Sequence, residues 1–278
     1  MRAALVQLNV SDDPAANLAQ TQALVARAVA GGAGFVLTPE CTNLLSSVRA
    51  HQAAHIVPED QDITLAALRA QAQAAGIWLL IGSLSVQSGD ADGRFANRSF
   101  LIAPSGEIAA RYDKIHMFDV NVSASEVYRE SAAYRPGSAA VLAQTPFGGV
   151  GLTVCYDLRF GHLHRALAQA GAQILCVPAA FNHITGAAHW QVLLRARAIE
   201  TGCFVLAPAQ TGFHAELLGG GAGRRTFGHS LAIAPWGEVL VDGGTEVGVS
   251  FVDLDLAEVA RARARVPSLT HDRKYAAP

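Results

Sequence analysis

The chain has 278 residues, 51% of them hydrophobic and 16% charged, with a formal net charge of -2 and a pI near 6.5. A chain of this length can enclose one large core, and neither sign of charge is gathered into a block, which excludes the basic footprint of a nucleic-acid-binding protein. No run reaches the roughly 18 uncharged apolar residues of a membrane span, and the opening MRAALVQLNV runs into Asp12, Asp13 and Pro14 without a cleavage signal, so no secretory leader is expected.

Residues 3–8 (AALVQL) form a short apolar run. After Asp13-Pro14 the apolar positions Leu18, Leu24, Val25 and Ala28 recur at helical spacing, and Gly31, Gly32 and Gly34 end the segment. FVLTPE (35–40) returns to strand composition. A second helix is predicted over 62–75, stopped by Gly76 before the strand WLLIGSL (78–84). NRSFLIAP (97–104) and EIAARYDK (107–114) flank Ser105-Gly106 and read as a hairpin. The same pattern returns as APWGEV (234–239), against APSGEI (103–108), and suggests two similar sheet edges.

Between these hairpins the sequence alternates again. Strand 149–157 (GVGLTVCYD), helix 163–170, strand 173–178 (QILCVP), helix 187–201 and strand 203–209 follow one another. Strands alternating with helices imply an α/β layered fold, while the hairpins rule out a purely parallel sheet. Two sheets packed face to face under outer helices are expected. No linker-like composition divides the chain, so one domain over 1–278 is expected. Residues 115–138 and 210–226 lack periodicity and are long for plain connections; they are predicted as irregular segments that cover a pocket.

Four cysteines, Cys41, Cys155, Cys176 and Cys203, lie far apart with no Cys-x-x-Cys pair. They read as reduced thiols of a cytoplasmic protein, without thiolate zinc. Cys155 closes an apolar run just before a turn, a position that exposes a nucleophile and the next N–H at a sheet edge; a buried structural cysteine is the alternative. Glu40 ends FVLTPE, where apolar walls would raise its proton affinity and suit it to take a thiol proton; an ordinary loop carboxylate is the alternative. Lys114 ends IAARYD and, with the N–H of Tyr156, would supply the charge that an amide oxygen needs as it becomes tetrahedral.

The segments TPE (38–40), YDK (112–114) and CYDLRF (155–160) resemble the three signature regions of the nitrilase, or carbon–nitrogen hydrolase, superfamily, whose members use a glutamate, a lysine and a cysteine. The similarity continues through 170–212, 227–239 and 266–275. It implies an α-β-β-α sandwich, catalytic roles for Glu40, Lys114 and Cys155, pairing of two subunits through outer helices, and neither metal nor organic cofactor. A second family glutamate before a Pro-Gly matches Glu130 in YRESAAYRPG, in a supporting role, with Glu126 nearby. His116, His162, His164, His183 and His189 offer a competing metal set, but no His-Glu-x-x-His spacing occurs. A Cys–His relay through His183 or His189 is also chemically possible.

AFNHITGAAHW and LLRARAIET most resemble the branch of deaminated glutathione amidase and ω-amidase, which implies a small 2-oxo acid amide bearing a carboxylate. Arg159 is the nearest guanidinium to grip that carboxylate, ahead of Arg195 and Arg224, with an ion pair to Asp157 as the alternative; Phe181, Asn182 and Thr185 are expected to line the pocket with Tyr156. Gly161-His162 stands where Pro-Glu is common, and Asp113 where a basic residue is frequent, which leaves specificity open. A non-catalytic scaffold of the same fold would require loss of a central residue, and none is lost.

Overall fold

A computed structural model describes residues 1–123 and 126–276. The first half runs β1 (Arg2–Gln7), α1 (Pro14–Ala30), β2 (Phe35–Leu37), α2 (Arg49–His55), α3 (Ile63–Ala75), β3 (Trp78–Gln87), β4 (Phe95–Ile102) and β5 (Ile108–Asp113). A small hairpin of β6 (Asp119–Asn121) and β7 (Val127–Arg129) leads to the second half. There β8 (Val141–Thr145), β9 (Gly148–Leu152), α4 (Gly161–Gln169), β10 (Ala172–Cys176), α5 (His183–Thr201) and β11 (Phe204–Ala207) follow. The chain ends with β12 (Thr211–His214), β13 (Arg224–Phe227), β14 (Leu231–Ile233), β15 (Val239–Asp242), β16 (Gly248–Asp253) and α6 (Ala257–Arg265).

Two six-stranded sheets result, in the orders β16-β1-β2-β3-β4-β5 and β15-β14-β11-β10-β9-β8. Each has three parallel strands joined by helices, an antiparallel hairpin at one edge and one antiparallel strand at the other. The repeated hairpin motif is therefore structural. Ala103 N–H donates to Glu107 O and Gly106 N–H to Ala103 O, and the same two bonds recur from Ala234 to Glu238 O and from Gly237 to Ala234 O.

Alternation along the first sheet separates its two faces. Leu5, Phe35, Leu37, Leu80 and Leu101 join the second sheet in one core, while Val6, Val36, Leu79, Ile81 and Phe100 join Leu24, Val25, Leu65 and Leu68 of α1 and α3 in another. The second sheet is covered by Leu163 and Leu167 of α4 and by Trp190, Leu194 and Ala198 of α5. The order of layers is α-β-β-α. Parallel strands buried on both faces explain the continuous apolar runs of the sequence. The helices start where their caps allow: Asp13 Oδ1 accepts the N–H groups of Ala15 and Ala16, and Asn182 Oδ1 those of Ile184 and Thr185.

The two segments predicted as irregular are partly ordered by pairing. β6 pairs with β7 through Asp119↔Arg129, and β12 with β13 from Thr211↔Phe227 to His214↔Arg224. Strands of three or four mostly polar residues leave no readable period, and positions 124 and 125 of the first segment lie outside the described residues.

Two histidines are buried without charge. His164, within α4, is fully enclosed, and His214 spans from the carbonyl of Val10 to the hydroxyl of Thr226. Burial pushes each imidazole down to about 4. The unfolded chain takes up these protons below pH 6.5 and the folded one does not until pH 4, so the stability they hold above pH 6.5 drains away as pH falls. Urea unfolding should show a loss of about 1.5 kcal/mol per histidine between pH 6.5 and pH 5; a flat midpoint over that range would contradict their neutral burial.

Candidate active site

Thr38, Pro39 and Glu40 follow β2 at its C-terminal end, where they meet β3 and Pro178 just beyond β10. Gly82 in β3 permits that approach: a Cβ there would fall on the carbonyl oxygens of Thr38 and Pro39 and on Pro178 of the second sheet. Glu40 is 3% exposed. Its Oε2 accepts the Ala180 N–H at 2.8 Å, its Oε1 accepts Lys114 Nζ at 3.0 Å and Asn97 Nδ2 at 2.9 Å, and its carbonyl accepts Gln210 Nε2. A carboxylate held on all sides is oriented before any substrate arrives.

Lys114 leaves β5 and is 2% exposed. Besides Glu40, its ammonium donates to Glu130 Oε1 at 2.9 Å and Oε2 at 2.8 Å, and Glu130 is itself fixed by the Phe118 N–H at 2.6 Å. An ammonium has three donors. One serves Glu40 and two go to a single carboxylate, so one can pass to a new oxyanion while Glu130 keeps the other.

Cys155 stands three residues beyond the end of β9, at the start of a 3-10 turn over Cys155–Arg159, with φ of 50° in the left-handed region. That conformation is costly for a residue with a Cβ, by about 1–3 kcal/mol, and is held only by its surroundings. Here the Cys155 N–H donates to Pro178 O at 2.9 Å, and Asp157, fully buried, accepts the Val154 N–H, the Tyr112 hydroxyl and the N–H of His116. Asp157 thus ties the nucleophile turn to the segment carrying Lys114. At the start of the turn the N–H of Tyr156 takes no acceptor among the described residues.

The thiol of Cys155 and the carboxylate of Glu40 line one cavity, and each shifts the other's titration. Burial pushes this thiol well above its usual range, and the negative charge of Glu40 adds to that, outweighing Lys114. For Glu40, burial acts upward, but Lys114, the Cys155 thiol and the Ala180 N–H prevail and hold it below the ordinary carboxylate range. The sequence-based expectation of raised proton affinity is reversed, because the charge that decides it arrives from a strand 74 residues away. Burial opposes the charge of Lys114, yet Glu130 and Glu40 keep it protonated. The resting site is a neutral thiol beside an ionised carboxylate and a cation.

These groups line a cavity of about 620 Å³ together with Glu130, Tyr156, Phe181, Asn182 and Thr185. Arg159 does not line it. Its guanidinium lies 5.7 Å and 5.5 Å from the ring centres of Tyr156 and Phe181 and 3.3 Å from His189 Nδ1, and Asp157 is occupied elsewhere. Neither His183 nor His189 lines the cavity, and Glu40 takes the place a relay histidine would need. Among the described residues no group of three or more His, Cys, Asp or Glu is placed to hold a metal ion.

Asn97 escaped the sequence reading, and Asp157 and Glu126 hold places other than those it weighed for them. Asn97 gives one amide group to both Glu40 and Glu130, Asp157 braces the turn, and Glu126 accepts Asn182 Nδ2 at 2.6 Å beside the Tyr128 hydroxyl. A polar position within an apolar strand, such as Asn97 in β4, was the one available signal.

A buried thiol, a carboxylate and an ammonium around one cavity at the ends of two packed sheets define a cysteine-dependent acyl-transfer site. The carbon-nitrogen hydrolase family model matches residues 2–264, and the chain belongs to that family. It is 40% identical over 272 residues to the deaminated glutathione amidase of Yersinia enterocolitica, covering 97% of this chain and 92% of that one. It is also 34% identical to the omega-amidase of Mus musculus, covering 98% and 95% of the two chains. Among solved structures, the NitFhit protein of C. elegans superposes with a TM-score of 0.88 at 32% identity, covering 98% of this chain and 65% of that one. The amidase from Nesterenkonia sp. gives 0.77 at 29% identity, over 96% and 95% of the two chains.

Proposed function

We propose that this hydrolase cleaves an amide through a thioester on Cys155, and that its substrate is deaminated glutathione, split into 2-oxoglutarate and cysteinylglycine. The observation that carries the reading is the single ammonium of Lys114 shared by Glu40 and Glu130 beside the Cys155 thiol. As sulfur attacks the amide carbon, Glu40 takes the thiol proton. The carbonyl oxygen gains charge and is met by Lys114 and the Tyr156 N–H. Glu40 then returns a proton to the departing nitrogen, and the C–N bond breaks. Water attacks the thioester with Glu40 as base, giving the carboxylic acid and restoring the thiol.

Glu130 supports Lys114, while Tyr156, Phe181, Asn182 and Thr185 contact the substrate and Arg159 stands behind two of them. The cavity, about 620 Å³, has room beyond a short oxo acid amide for a leaving dipeptide, which favours this substrate over the 2-oxoglutaramate of an ω-amidase. The reading takes 1–278 as one domain with no metal or organic cofactor, acting in the cytoplasm as a homodimer. Four free cysteines agree with a reducing compartment. The exposed Val192 and Ile199 of α5, beside Trp236, support pairing through an outer helix.

Rates on two amides decide the substrate. Cysteinylglycine release from deaminated glutathione should exceed ammonia release from 2-oxoglutaramate in kcat/KM by about tenfold or more, a difference of about 1.4 kcal/mol in transition-state binding. The reverse order would transfer the assignment to an ω-amidase.

A further inference from the structure

Three arginines line the cavity, Arg49, Arg129 and Arg224, and two are already committed. Arg129 spends its guanidinium on the carbonyls of Val120 and Tyr128 and on Asn121. Arg49 donates to Gly93 O and lies 4.0 Å over the Phe95 ring. Arg224 differs. Its Nη2 reaches one acceptor, Ala180 O, at 3.4 Å, and its buried Nε has no partner among the described residues. The carboxylates of the cavity are engaged elsewhere: Glu40 and Glu130 on Lys114, Glu126 on Asn182, and Glu216 on Ser46 and Ser47.

A guanidinium offers five N–H donors in a rigid fork. Leaving the buried Nε–H of such a fork unmatched is rare in native structures and marks a strained or ligand-binding group. The backbone around Arg224 is fixed rather than loose. It opens β13 opposite His214, whose ring is bonded to Val10 O and Thr226, and the turn before it needs Gly223 at φ of 69°. Ala180 joins it to the chemistry, since its N–H holds Glu40 Oε2 and its carbonyl takes Arg224 Nη2. A single residue, Ala180, therefore links the guanidinium to Glu40. A cavity lined by four carboxylates would repel an anionic substrate unless a free cation met it.

We propose that Arg224, rather than Arg159, binds a carboxylate of the substrate by two parallel charge-assisted hydrogen bonds and so selects acidic amides. This rests on the amidase reading and names its specificity residue. The geometry admits either end of the substrate: the 2-oxo acid carboxylate of the acyl half or the terminal carboxylate of the leaving dipeptide.

The test compares the full-length protein with Arg224→Gln, Arg224→Lys and Arg159→Gln, using initial rates on deaminated glutathione, 2-oxoglutaramate and the neutral amide pentanamide. Arg224→Gln should raise KM for an acidic amide by about 10- to 100-fold with a smaller change in kcat, and lower the preference for that amide over pentanamide by a similar factor. Arg224→Lys should recover part of the loss. A rise for both acidic amides places the carboxylate in the acyl half; a rise for deaminated glutathione alone places it in the leaving half. Equal losses on acidic and neutral amides would reveal a structural role and overturn the proposal. So would a KM within threefold of the parent, or a rise produced by Arg159→Gln instead. If the parent protein hydrolyses neither acidic amide, the functional reading fails first. Calorimetric titration with 2-oxoglutarate and with cysteinylglycine then decides the proposal: binding of either that Arg224→Gln abolishes sustains it, and binding of neither, or binding that the variant retains, ends it.

Discussion

Replacing Cys155 with alanine should lower kcat by about 10⁴-fold or more, because the other groups of the site act through the sulfur and have no second nucleophile to serve. The alternative thiol in the cavity, Cys41, cannot substitute: burial, together with the neighbouring Glu40, pushes it up to about 12. Intact-mass analysis of the parent protein, quenched during turnover of a slow amide, should show one acyl adduct, and peptide mapping should place it on Cys155. Normal turnover by the alanine variant, or an adduct on Cys41, would remove the thioester from the mechanism. Circular dichroism separates loss of chemistry from loss of fold, a needed control because alanine inherits the φ of 50° at this turn.

Lys114→Met should lose about 10²- to 10³-fold in kcat, the effect of removing one preorganised oxyanion donor. Stability should fall as well. The variant leaves the carboxylates of Glu40 and Glu130 facing each other without the cation that both now share, a change that typically costs about 3–5 kcal/mol when a buried ion pair is broken. Glu40 would respond by binding its proton more tightly, since Lys114 is the main influence holding it down against burial. The acidic limb of the kcat/KM profile should therefore move to higher pH, as the base must be ionised to act. Adding Glu130→Gln should restore part of the urea midpoint without restoring the rate. A variant within tenfold of the parent rate, with an unshifted acidic limb, would show that the ammonium neither stabilises the oxyanion nor governs Glu40.

Much of the layered fold was legible because its cause is local. Continuous apolar runs marked the parallel strands, Asp13-Pro14 and the glycines around Gly31 bounded the first helix, and two Pro-x-Gly-Glu turns announced matching hairpins whose backbone bonds agree in pattern. The ends of those runs also located TPE, YDK and CYD, since a strand end at a sheet edge is readable from where hydrophobicity stops. The small hairpins β6–β7 and β12–β13 were not legible: their strands of three and four residues are too short and polar to show a period.

The sequence by itself determined which residue types stand at the strand ends, and with them the kind of chemistry available to this protein. Only the tertiary structure decided how those groups act on one another. It placed Asn97 between two carboxylates, braced the Cys155 turn on Asp157, reversed the direction in which Glu40 departs from an ordinary carboxylate, and left Arg224 rather than Arg159 at the cavity wall. Hydrophobic periodicity is a property of neighbours along the chain, whereas charge and hydrogen bonding depend on distance through space, and folding alone brings residues 40, 114, 155 and 224 to one place.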